Sequence, residues 1–175
     1  MALSAEEVRD SILAVSGNLN PKMFGPSVYP EIPAEVLAGQ SVPGRGWGKS
    51  SPEEQARRSI YIHVKRSLLY PILESFDVAE ADRSTPVRFA TTQPTQALGM
   101  INGDFLNKQA KLFAERLRRE AGEDPAKQVD LAYRLALARP AKASEIATMV
   151  EFLRREPLEQ MCRVIFNLNE FAYVD

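Results

Sequence analysis

Residues 104–122, DFLNKQAKLFAERLRREAG, lead into Asp124-Pro125, and the reading of this stretch decides the fold. Phe105, Gln109, Leu112, Phe113 and Leu117 recur at helical spacing and stop at Gly122, a residue suited to ending a helix. Asp124-Pro125 then caps a second helix that carries Val129, Ala132, Tyr133, Leu135 and Ala136 and must end before Pro140. Ile146, Met149, Val150 and Leu153 predict a third over 143–155, and Leu158, Met161, Cys162 and Ile165 a fourth after Pro157. Amphipathic helices joined by short loops, without a solenoid repeat, predict a helical bundle.

Moving toward the N-terminus, Pro94 opens a helix through Ile101 that Asn102-Gly103 breaks. Between 59 and 65, Ile60, Ile62 and Val64 alternate with Tyr61, His63 and Lys65, which predicts a strand, with Val87, Phe89 and Thr91 as its partner. A helical turn or two is expected around Pro71, and a polar loop over 77–85. Ser51-Pro52-Glu53-Glu54 carries the start signals of a short helix. From Gly17 to Ser51, prolines at 21, 26, 30, 33 and 43 and glycines at 25, 39, 44, 46 and 48 exclude long helices and ladders. Met23, Phe24, Tyr29, Ile32 and Trp47 make the same stretch too apolar for a solvated linker. An extended arm packed across the body of the domain is therefore expected, with Trp47 as an anchor. Ser4 and Glu7 form a capping box ahead of Val8, Ile12 and Val15, which predicts a first helix from Ala5 to Ser16.

The expected fold is thus mainly α: a helical bundle, a small two-stranded β element and an extended Pro/Gly-rich N-terminal arm. Residues 1–50 hold the first helix and the arm, and residues 51–175 the body of a single domain.

A chain of 175 residues with 45% apolar and 26% charged residues is long enough to bury a core. Its formal net charge of -1 gives no bulk attraction to nucleic acid or anionic membrane. No apolar run approaches the ~20 residues that cross a bilayer. Cys162 is the only cysteine and His63 the only histidine, so an internal disulfide, a paired-cysteine zinc or haem motif and a multi-histidine metal centre are excluded. Residues 44–50 end like a phosphate-binding loop, but that motif needs glycine where Pro43 stands. Glu74, Asp77, Glu80 and Asp82 lack the spacing of a calcium loop. Lys108, Lys111, Arg116, Arg118 and Arg119 are interleaved with Glu115 and Glu120, the pattern of an ion-paired helix face.

One ordered series of residues points to a family. It runs through Ala5-Glu6-Glu7-Val8-Arg9-Asp10, Leu13-Ala14-Val15-Ser16-Gly17, Arg57-Arg58-Ser59-Ile60-Tyr61, Lys65-Arg66 and Phe76-Asp77. It continues through Thr92-Gln93-Pro94-Thr95-Gln96-Ala97-Leu98, Asn102, Tyr133-Arg134-Leu135-Ala136-Leu137-Ala138-Arg139-Pro140 and 167–175. In these residues the chain resembles the C-terminal part of the planctomycete-specific domain of unknown function that follows cytochrome c domains in large planctomycete proteins. It departs from that pattern at Ala90 and Thr92, where Arg and Asn are expected. The resemblance implies an exported, periplasmic, multidomain and redox-associated protein, of which this chain is expected to be a fragment. It implies no cofactor in this chain, and places any haem in an upstream domain. It carries over no catalytic residue.

Arg57, Arg58, Asp77, Arg88, Gln93, Gln96 and Asn102 form the candidate polar cluster, which either binds a ligand or holds the fold. The first reading of function is a non-catalytic structural or interaction module. The alternative is an enzyme domain acting on sulfated or complex polysaccharide, with Asp77 as acid or base and Arg58 and Arg88 holding an anion. Expected partners are upstream domains of the same polypeptide, another protein, or a second copy in a homodimer, with no nucleic acid and no membrane insertion.

Overall fold

The computed structural model describes residues 3–40, 42, 44–65, 68, 70–75 and 103–173. Its helices are α1 (Ala5–Val15), α2 (Ala34–Ala38), α3 (Pro52–Gln55), α4 (Pro71–Ser75), α5 (Asp104–Ala121), α6 (Pro125–Leu137), α7 (Ala143–Leu153), α8 (Leu158–Phe166) and α9 (Asn169–Ala172), with one turn of 3-10 helix at Ser59–Tyr61. The chain divides into two compact units, one of residues 1–3, 11–18 and 100–175, the other of residues 4–10 and 19–99.

The first unit is the helical bundle, in which α5 packs against α6 and α8, and α6 against α7 and α8. Leu106, Ala110, Phe113, Ala114 and Leu117 make the buried stripe of α5, with the Phe113 ring tilted against Phe166 of α8 at 5.4 Å and Phe166 meeting Phe171 of α9 edge-on. Two ends of these helices follow directly from the sequence. Gly122 takes φ 69°, and the Asp124 carboxylate accepts from the Ala126 and Lys127 N–H groups to open α6. The end of α1 also belongs here. Arg116 donates to the Ala14 and Val15 carbonyls at 3.1 and 2.9 Å, satisfying acceptors that a helix C-terminus leaves open, while Ser16 Oγ donates to the buried Gln109 Oε1 at 2.8 Å. The predicted core stripe of α7 is only half-buried: Ile146, Met149, Val150 and Leu153 all keep partial exposure.

The second unit is built around Ala5, Val28, Ile32, Ile62, Leu68, Tyr70 and Leu73. The arm lies on this small core rather than forming a ladder. Trp47 donates its indole N–H to the Pro30 carbonyl at 3.0 Å and meets Tyr29 edge-on, and Tyr29 also lies 4.9 Å from His63. Gly48 is required by this packing, because a Cβ there would stand 2.8 Å from the Tyr29 ring. The short helices are capped as the sequence predicts: Ser4 and Glu7 exchange hydrogen bonds at the head of α1, and Ser51 Oγ accepts from Glu54 N–H at the head of α3.

The expected two-stranded β element is not supported, and no strand occurs among the described residues. Residues 59–61 are a 3-10 turn; Ile62 is buried while Ile60 and Val64 are 75% and 66% exposed, so the alternating residues do not share one buried face. The physical cause is Asp10, whose carboxylate accepts both the Ser59 N–H and the Ser59 hydroxyl at 2.7 Å and curls the chain at the point where a ladder would start. In place of a sheet there are isolated parallel bridges, Asn20 with Arg57 and Val28 with Ile62. Val87, Phe89 and Thr91, the proposed partner strand, and the predicted helix from Pro94 lie outside the described residues.

Phe113 is fully buried in the bundle, against the Phe166 ring. Phe113→Ala is expected to cost about 3 to 5 kcal/mol, read as a shift of the urea midpoint with an unchanged slope.

Candidate functional site

Arg57 follows α3 and is 0% exposed, so its guanidinium is removed from water. Its N–H groups are met mostly by main chain: Nε donates to the Lys22 carbonyl and Nη1 to the Pro26 carbonyl, each at 3.3 Å, and Nη2 to the Phe24 carbonyl. Nη1 also reaches the Glu54 carboxylate at 3.1 Å, and the planar group lies over the Tyr61 ring at 4.0 Å. The Tyr61 hydroxyl accepts the Phe24 N–H at 2.9 Å. Arg57 and Tyr61 thus close the Lys22 to Pro26 turn from two sides.

Arg9 of α1 is the second buried arginine, 1% exposed. Nη1 donates to the Arg57 carbonyl at 3.0 Å and to Ser59 Oγ at 3.1 Å, Nη2 donates to the Gln55 carbonyl at 2.6 Å, and the group stands over Tyr70. Burial lowers the Arg9 pKa, with Tyr70 and Asp10 opposing it, and burial likewise raises that of the Tyr70 phenol. Asp10, adjacent in the helix, holds Ser59 and touches the exposed Arg58 at 3.5 Å.

Chemically this is a closed network. Ser59 Oγ lies between the Arg9 guanidinium and the Asp10 carboxylate, without an imidazole to take its proton. Arg57, whose donors face carbonyls and Glu54, is not available to an incoming sulfate or phosphate. Of the candidate cluster, the structure places Arg57 in this network and Arg58 at its exposed edge. Asp77, Arg88, Gln93, Gln96 and Asn102 lie outside the described residues. Arg9 and Asp10 are the members that the reading of a polar cluster missed. The signal was present: Arg9 lies four residues after Ala5 and three before Ile12, on the apolar stripe of α1, where a charge needs internal partners.

A second arginine clasp sits in the helical unit at the end of the Tyr133 to Pro140 run. Arg139 forks onto both oxygens of Glu145 at 2.8 and 2.9 Å, reaches Glu170 at 2.5 Å, and lies over the Tyr133 ring. Hydrogen bonds from Arg139, against the opposing effect of burial, hold Glu145 at about 2, and they lower Glu170 in the same direction. Three arginines of α5 are paired as well, Arg116 and Arg119 with Glu120 and Arg118 with Glu159. Cys162 is buried in α8, and burial pushes its thiol pKa up, away from nucleophilic use. Among the described residues no group of His, Cys, Asp and Glu could hold a metal ion, and no helix is long and apolar enough to cross a membrane.

A family model described as a protein of unknown function (DUF1553) matches residues 1–153. No curated protein and no solved structure matches the chain.

Removing the Arg57 head group strands the buried carbonyls it serves, and an unsatisfied buried polar group costs about 1 to 3 kcal/mol. Arg57→Ala is expected to lower stability by about 3 kcal/mol or more, and Arg57→Lys by a similar amount because an ammonium cannot reproduce the fork. Arg58→Ala, at an exposed pair, is expected to stay within about 0.5 kcal/mol. Urea unfolding of the three variants checks this.

The Arg139 clasp predicts a pH signature. Glu145 is held below its ordinary 4.5, so its contribution is fully present above that value and is lost as pH falls from about 4.5 through about 2. The melting-temperature difference between the parent chain and Glu145→Gln is expected to be constant at neutral pH and to shrink across that acid window.

Proposed function

We propose that this chain, which belongs to the DUF1553 family of proteins of unknown function, serves as a non-catalytic structural and interaction module. The observation that supports this reading is the burial of Arg57: the arginine that heads the candidate cluster is 0% exposed and serves the carbonyls of residues 22, 24 and 26 and the Glu54 carboxylate. The neighbouring serine and aspartate serve Arg9 and the main chain in the same way. The setting we propose is a larger, exported, redox-associated planctomycete protein, in which upstream domains of the same polypeptide or a separate protein are the partners and haem belongs to an upstream domain. The support for that setting is the ordered series of residues shared with the domain that follows planctomycete cytochrome c domains.

The test is titration of the chain with sulfated oligosaccharides, read by calorimetry and by release of reducing ends. The expected result is no saturable heat and no cleavage. Saturable binding lost in Arg58→Ala, or cleavage lost in Asp77→Asn, would replace this reading with the polysaccharide enzyme.

A further inference from the structure

In the second unit Arg9, Lys22, Arg57 and Arg58 each stand within ion-pair distance of Asp10 or Glu54. Among the described residues of that unit, Arg45, Lys49 and Lys65 meet no carboxylate. They belong to one place. Arg45 and Lys49 are exposed on the loop 44–50, which contains no acidic residue, and the Lys65 ammonium donates to the Arg45 carbonyl. Each side of that contact also carries an exposed aliphatic residue, Val42 at 51% and Val64 at 66%.

The loop is tied down along its length. The Arg45 N–H donates to the Val42 carbonyl at 3.2 Å and the Trp47 N–H to the Gly44 carbonyl at 3.0 Å. The Trp47 indole is held by Pro30, Gly48 lies against the Tyr29 ring, and Ser50 Oγ accepts the Tyr29 N–H at 2.9 Å. Cations mounted on a backbone fixed at so many points lose little main-chain freedom when a partner arrives.

Uncompensated charge of one sign selects a partner of the other sign, because neighbouring cations repel one another until a carboxylate or another anion meets them. The surroundings favour a peptide as that anion. The local rings pack on one another, Tyr29 at 4.9 Å from His63 and Trp47 edge-on to both, whereas single-stranded nucleic acid requires aromatic faces on which bases stack. Arg45, Lys49 and Lys65 are also fewer than the roughly four to eight basic residues that hold a protein to anionic lipid. Val42 and Val64 offer apolar contact, which suits aliphatic side chains set among carboxylates.

We propose that the loop 44–50, with Val42, Val64 and Lys65, docks an acidic segment of a second protein that carries aliphatic side chains between its carboxylates. The inference rests on the reading of this chain as an interaction module and names the chemistry of its partner. Sulfated oligosaccharide with Arg58→Ala and Asp77→Asn tests that reading separately, so the two can fail independently.

The probe is a labelled peptide repeating Glu-Leu-Glu-Gly, titrated with the full chain and followed by anisotropy and by the emission of Trp47, the only tryptophan. Two companion peptides replace every glutamate by glutamine or every leucine by serine. The expected result is saturable binding that weakens with added salt, is lost in the glutamine peptide and is reduced in the serine peptide. Arg45→Glu and Lys49→Glu should each weaken binding by about tenfold. Lys108→Glu, at an exposed position of α5, should leave it unchanged. Absence of saturable binding overturns the proposal, as does equal binding of the glutamine peptide or parental affinity in both loop variants. A serine peptide that binds as tightly overturns it in favour of a bare polyanion site. Displacement of the peptide by phosphatidylserine vesicles or by an oligothymidine strand does the same. Should the loop variants fail to fold, the glutamine and serine peptides decide with the parent chain alone.

Discussion

A guanidinium taken out of water must find acceptors for its N–H groups, and Arg57 finds them chiefly in main-chain carbonyls. That choice organises the unit around it. Three carbonyls converge on one planar group, and residues 22 to 26 curl around it with positive φ at Phe24 and Gly25. The Tyr61 ring closes the other face of the same group. The main chain at Arg57 is then fixed by Arg9, which donates to the Arg57 carbonyl. One buried arginine thus sets the side-chain partners of the arm, and the other ties α1 to the peptide that carries the first.

The bundle uses the same residue type differently. Arg139 lies near the surface and is met by carboxylates, so its charge is neutralised locally and its partners respond to acid. Arg9 instead donates to the Arg57 and Gln55 carbonyls and to Ser59, with Asp10 at 3.8 Å. The two settings differ in how much of the contact is carboxylate: two acidic side chains meet Arg139, whereas Arg57 is met by three carbonyls and by Glu54 alone among its hydrogen-bonded carboxylates.

The helices were legible because their ends are written in local chemistry. Gly122, Asp124 and Ser51 each act within three or four residues, and the structure puts the helix ends where they predict. The alternation at 59–65 misled because period two records only which residues are apolar, and a carboxylate 49 residues away decides whether the chain extends or turns. The stripe of α7 shows the converse: its spacing is helical, yet the helix sits at the margin of the bundle and its apolar residues are half-buried. For the candidate cluster, the sequence singled out Arg57 as a polar residue needing partners but did not reveal that those partners would be carbonyls of the arm. Arg9 was the harder case, because a lone charge on an apolar stripe identifies a need without naming the acceptors, which come from residues 46 to 50 positions away.

Residues 44–50 spell most of a nucleotide motif, and the packing of Tyr29 explains one letter of it. The ring occupies the space that any side chain at 48 would fill, and Gly44 and Gly46 take φ values of 70° and 73° that turn the chain back toward Trp47 and its carbonyl partner at Pro30. Glycines demanded by an aromatic neighbour and by tight reversal fall here just before a lysine and a serine, and so spell the end of a phosphate-binding loop without its first glycine. In this chain the partial spelling is a by-product of steric exclusion at Gly48 and of the turns at Gly44 and Gly46.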